Sequence, residues 1–141
     1  MHIKTLALGV GLLLGTAVRA DTDPAQGLLG HFGHGFTEPA GEVVWTVTAQ
    51  ADGYALLAHG DQSRSLLRRL TPAEVGAFWQ KMLWPPATRA GVQCVGDDES
   101  VFCQVPPAQR QQIDWLAGQH SDYFFYSEMG GVMEIQRLGP P

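Results

Sequence analysis

The sequence predicts an α+β domain: an antiparallel sheet of about seven strands, built from a meander and hairpins, with two helices packed on one side. Three observations carry this expectation. From Glu42 onward most of the chain falls into short stretches of β-prone or alternating residues separated by compact turn signals. One segment, Thr71 to Trp84, switches to helical spacing behind a complete start signal. Strands follow one another mainly through short turns, which join antiparallel neighbours and are too short for parallel crossovers.

The first residues stand apart from that pattern. Lys4 supplies a positive start, Leu6 to Ala17 is an apolar run, and Val18-Arg19-Ala20 closes it with small or compact residues where a signal peptidase reads. Asp21, Thr22, Asp23 and Pro24 then turn the chain polar. This is the layout of a cleavable export signal over residues 1–20, cut near Ala20. The run is shorter than the roughly 20 apolar residues a spanning helix needs, and no later stretch is longer, so membrane insertion is not expected. No cysteine follows the cut, so a lipoprotein anchor is not expected either. The expected location is the periplasm or the medium.

Removing 20 of 141 residues leaves 121, enough for one domain. Lys4 and Arg19 leave with the signal and no acid does, so the net charge moves from −5 to −7. An acidic surface disfavours nucleic acid and anionic lipid, which call for Lys and Arg. It favours a basic protein partner.

Residues 21–41 are Gly-rich and expected as an N-terminal arm, with Leu28 to Phe32 the part able to enter the fold. The domain is expected over 42–138, with 139–141 as a tail. Val43, Trp45, Val47 and Ala49 alternate with Val44, Thr46, Thr48 and Gln50, the period of a strand. Ala51-Asp52-Gly53 turns the chain, Tyr54 to His59 returns, Gly60-Asp61-Gln62 turns again, and Ser63 to Leu70 is a third strand. Thr71 then caps a helix, with Pro72 at its first position and Glu74 three residues after the cap, and Leu70 with Val75 forms a hydrophobic staple. Val75, Phe78, Trp79, Met82 and Leu83 make its apolar stripe, and Pro85-Pro86 stops it.

Residues 92–96 and 101–105 form a hairpin in which Cys94 faces Cys103, Val95 faces Phe102 and Gly96 faces Val101. Two cysteines in an exported chain, placed across a hairpin, are within disulfide reach. A zinc pair lacks a nearby histidine to complete it. Pro106-Pro107 opens a second helix over Ala108 to Ala117, ended by Gly118. The β-prone run Asp122 to Glu128, the turn Met129-Gly130-Gly131 and the strand Val132 to Leu138 close the domain.

Catalytic signals are thin. No serine lies in a Gly-x-Ser-x-Gly elbow. Glu128 and Glu134 flank the last turn, as a pair of glycosidase carboxylates would, but charged residues at turns are usually solvated. His31 and His34 are spaced H-x-x-H, with His59 and His120 elsewhere, and imidazoles suit zinc or copper. The surrounding glycines oppose the helix such spacing needs. No metal or other cofactor is expected.

Two features point instead to binding. Asp97, Asp98 and Glu99 crowd the tip of the cysteine hairpin. A braced acidic loop loses little entropy on docking and is steered toward a basic cleft. In the run Tyr123 to Tyr126, Tyr123 and Phe125 share one face, a contact surface wherever no helix covers it.

In kind the chain is small, exported, acidic and β-rich, with one disulfide and no catalytic motif. In this it resembles periplasmic inhibitors of cell-wall hydrolases and immunity proteins against secreted antibacterial effectors. The resemblance implies a protein that occludes a basic hydrolase or a secreted toxin, one half of a toxin–immunity pair. It assigns no residue; the candidate contacts come from charge and strand parity. A cell-envelope hydrolase and a structural accessory of an envelope or secretion complex are the alternatives.

Overall fold

A computed structural model describes residues 25–35 and 41–141; the expected export signal lies outside the described residues. Eight strands run in order: β1 (Gly30–His34), β2 (Trp45–Gln50), β3 (Gly53–Ala58), β4 (Arg64–Arg69), β5 (Gln93–Gly96), β6 (Ser100–Gln104), β7 (Tyr123–Ser127) and β8 (Gly131–Gly139). Each pairs antiparallel with the next, and β8 pairs back with β1. The sheet is a closed barrel.

This corrects the expected open sheet of about seven strands. The antiparallel pattern holds and seven strands lie where the periodicity puts them, but an eighth comes from the Gly-rich segment expected as an arm. Strand β1 (Gly-His-Phe-Gly-His) carries almost no β propensity. It is a strand because both neighbours offer it a ladder, Gly30 to Phe32 against β2 and His31 to His34 against β8. Closing the ring removes both sheet edges. Two glycines permit the close approach. A Cβ on Gly33 would meet the Glu42 carbonyl oxygen at 2.5 Å, and Gly30 sits at φ +147°.

The barrel separates two apolar cores. One draws on every strand, which only an interior can do: Phe32, Val47, Leu56, Leu67, Val95, Phe102 and Ile135 meet inside, with Tyr123 and Phe125 of β7 packed against them. A short 3-10 turn, Gln26–Leu28, adds Leu28, and Ala25 and Leu29 on its two flanks join the same cluster. The other core lies outside β5–β7, under helix α1 (Pro72–Lys81), and includes Cys94, Cys103, Phe124 and Tyr126.

Helix α1 starts as its sequence specifies. The Thr71 hydroxyl accepts from the Glu74 N–H at 3.2 Å, and Glu74 Oε2 accepts from the Thr71 N–H at 2.8 Å. Val75, Phe78 and Trp79 are buried. Leu83, expected on the same stripe, is 90% exposed. The helix ends at Lys81, two residues before Leu83, and Trp84 is buried in its stead.

Glu74 Oε2 also accepts from Arg68 Nη1 of β4 at 2.7 Å. Hydrogen bonds from Arg68, then from the Thr71 N–H, hold the Glu74 carboxyl down at about 2 from an ordinary 4.5. A depressed folded-state value gives stability that is complete above the unfolded value and lost as pH falls toward 2. The stability difference between the protein and Glu74→Gln should therefore be constant above about pH 5 and shrink between pH 4.5 and 2 in thermal melts.

The second helix is also corrected. Instead of one helix over Ala108 to Ala117 there are two single turns, α2 (Pro107–Arg110) and α3 (Asp114–Ala117). Ile113 between them is extended, φ −109° and ψ 108°. The break lets Ile113 and Leu116 both reach the outer core, each 1% exposed, which compensates for the narrow apolar face of a continuous helix.

Candidate functional site

The β5–β6 hairpin has the expected register, Cys94 opposite Cys103, Val95 opposite Phe102 and Gly96 opposite Val101, and the two cysteines are joined as a disulfide. At its tip the three acidic residues take three different roles. Asp97 Oδ1 accepts from the backbone N–H groups of Glu99 and Ser100, at 2.9 and 2.8 Å, and from the Ser100 hydroxyl at 3.2 Å. Its carboxylate builds the turn, as Asp commonly does. Asp98 and Glu99 are exposed. Asp98 stands near Arg68, whose guanidinium is held charged first by Glu74 and to a lesser degree by Asp98.

Glu99 is tied to the next turn. Its carbonyl oxygen accepts from the Glu128 N–H at 3.3 Å. The Glu128 carboxylate in turn accepts from Lys81 Nζ, in the last turn of α1, at 2.5 Å. Lys81 also lies over the Tyr126 ring, 5.1 Å from its centroid. Hydrogen bonding to Glu128, then to Tyr126, raises the ammonium above its ordinary 10.5. The tip is thus braced behind by the disulfide, inside by Asp97 and on one flank by the β7–β8 turn.

The aromatic run does not make an outer contact surface. Tyr123 and Phe125 point into the barrel. Phe125 is 4.7 Å from Phe102 and 5.4 Å from Trp45, centroid to centroid, and Tyr123 is 5.4 Å from Phe32. The Tyr123 hydroxyl donates to the Gly27 carbonyl at 3.0 Å, and burial raises its pKa. Phe124 and Tyr126 face outward but lie beneath Phe78 of α1, at 6.0 and 5.1 Å. A helix covers that face, the competing arrangement the sequence left open.

The histidines separate. His34 stacks edge-on against Trp45 at 5.1 Å, while His31 Nδ1 lies 2.8 Å from Thr46 Oγ1. The H-x-x-H pair therefore engages different partners and does not converge. His59 joins His31 instead, its Nε2 2.7 Å from the same Thr46 oxygen. The hydroxyl of Thr46, a residue 9% exposed, links two imidazoles across β1, β2 and the end of β3. Sequence reasoning missed Thr46; the strand register that puts it opposite His31 was the signal. Among the described residues no three His, Cys, Asp or Glu side chains gather so as to hold a metal ion.

The carboxylates considered as a catalytic pair have structural partners of their own. Glu128 is held by Lys81. Glu134 is buried, and its Oε1 accepts from the His120 and Ser121 N–H groups, each at 2.7 Å, fastening that loop to β8.

A feature absent from the sequence-based candidates is an open groove of about 660 Å³ between the end of α1 and α3. Met82, Trp84 and Val132 form its floor, Leu83 and Trp115 stand at its sides, and Asp114 is the one charged residue along it. Leu83 has φ 57°, the left-handed region. It occupies the position after the helix cap in a Schellman motif, with Trp84 N bonded to Trp79 O at 3.0 Å and Leu83 N to Gln80 O at 3.1 Å. Glycine is favoured there, and a leucine costs about 1 kcal/mol.

Among the described residues no helix is long and apolar enough to cross a membrane. No protein-family model matches the sequence, and no curated protein or solved structure shows significant similarity to it.

Proposed function

We propose that this is an exported binding protein of the inhibitor or immunity type, which occludes a basic hydrolase or secreted toxin with its acidic hairpin tip. The observation that carries the reading is the bracing of that tip. Asp97 is spent on the turn, the disulfide lies behind it, and Glu128 pins its flank, so Asp98 and Glu99 are presented on a loop that has little freedom left to lose. Charges held outward in this way act chiefly on encounter and orientation with a cationic partner. The barrel interior, by contrast, is filled by side chains, with Phe102 and Phe32 fully buried at its centre.

The test uses the oxidised chain from residue 21 as bait against envelope and secreted proteins of the same cell, with Asp98→Lys/Glu99→Lys beside it. Asp97 is left alone because its loss would loosen the turn. A hydrolase or toxin should be retained by the first bait. The double reversal should weaken it by at least about tenfold, and added salt should weaken the unaltered complex. A hydrolase or toxin held equally by both baits would remove the tip as the contact. Capture of scaffold components alone would remove the inhibitor reading.

A further inference from the structure

Leu83 and Trp115 are 90% and 66% exposed, and neither belongs to the two apolar cores. Leu83 is unfavourable in two respects. Its backbone is in the region glycine prefers, and its side chain stands in water. A strained, exposed apolar residue beside a second one, across a groove, is what a contact surface requires and a stable fold does not.

The groove is continuous with the acidic tip. Gly131 and Val132 of its lining begin β8, immediately after the turn that holds Glu128 and the fully exposed Met129. Glu128 is bonded on one side to Lys81, adjacent in sequence to Met82 of the groove floor, and on the other to Glu99 of the tip. Asp98, Glu99, Glu128 and Asp114 lie along this path, an acidic excess over its two neighbouring cations, Lys81 bonded to Glu128 and Arg68 near Asp98. Apolar anchors within a charged border are the usual anatomy of a protein interface.

We infer that Leu83 and Trp115 are the apolar anchors of a docking face that receives a protein segment carrying an apolar side chain flanked by Lys or Arg. The inference rests on the proposed reading of the tip and extends its contact. The cationic flanks follow from the charge of the face. A second copy of the chain would bring the same acids against themselves and is disfavoured.

The probe is a fluorescein-labelled peptide of Leu and Lys at helical spacing, about 18 residues or five turns long. Two controls of equal length carry Glu for Lys or Ser for Leu. In anisotropy titrations the Leu/Lys peptide should bind and both controls should not. Leu83→Gly and Trp115→Ser should each weaken binding about tenfold or more. Leu83→Gly should at the same time raise the melting temperature by a few degrees, which separates lost contact from lost fold. Failure of the Leu/Lys peptide to bind, binding of the Glu control, or binding unchanged by both variants would each overturn the inference. So would a dimer in sedimentation that Leu83→Gly abolishes, which would make the occupant a second copy. Against a natural partner, loss with Asp98→Lys/Glu99→Lys but not with the groove variants would sink this inference and leave the tip reading. The reverse pattern would sink the tip and keep the groove.

Discussion

Phe102→Ala is expected to lower stability by about 3–5 kcal/mol, measured by denaturant unfolding. Phe102 is fully buried at the middle of the barrel, with Phe125 at 4.7 Å, Trp45 at 6.0 Å and Phe32 at 6.1 Å. The neighbours are attached to strands locked around a closed ring, so they cannot collapse into the space the ring leaves. The loss therefore combines the transfer of the side chain with most of a cavity. Against a typical total of roughly 5–15 kcal/mol, this brings the domain near its threshold. Phe125→Ala should cost less, because Phe125 is only half-buried. A loss below about 2 kcal/mol at Phe102 would mean that the interior repacks freely, and the barrel would not be the rigid support that the proposed tip needs.

Replacing both cysteines by alanine should cost about 2–3 kcal/mol. The two residues are nine apart in sequence, and closing so short a loop in the unfolded chain accounts for a loss of that size. Alanine is the right replacement: both positions are at most 1% exposed under α1, and a serine hydroxyl there would be buried without a clear partner. The strand pairing of β5 with β6 and of β6 with β7 does not depend on the sulfurs, so the circular dichroism of the folded protein should be unchanged. Melts with and without reductant give the same comparison without mutation. Equal melting temperatures in the two conditions would contradict the expectation. Under the proposed function, the variant should also bind its partner less tightly at temperatures where it remains folded.

The parts of the fold that were legible are those whose determinants are neighbours in the chain. The hairpin register follows from the spacing of Cys94, Val95 and Gly96 against Val101, Phe102 and Cys103, and the structure keeps each of those pairs. The capping box at Thr71 and Glu74 spans three residues and forms as expected. What was not legible depends on distant partners. Gly30 to His34 is glycine-rich and becomes a strand only because β8, about a hundred residues later, completes its second ladder. The run Tyr123 to Tyr126 announces a strand and its parity, but whether its inner pair meets solvent depends on closure of the barrel.

The candidate site divides in the same way. Three adjacent acids on a stapled turn can be seen in the sequence. That Asp97 turns inward while Asp98 and Glu99 stay outside is decided by hydrogen-bond geometry at the tip. That Leu83 and Trp115 line one groove, and that Lys81 meets Glu128, is decided by packing of α1 and α3 against the barrel. Strand alternation, the helix start and the cysteine pairing are written locally in the chain, because each rests on periodicity, capping or cross-hairpin distance. Closure of the sheet, the turning of Tyr123 and Phe125 into the barrel and the exposure of Leu83 come from the tertiary structure. Each of these depends on which surfaces distant segments cover, and no local pattern encodes that.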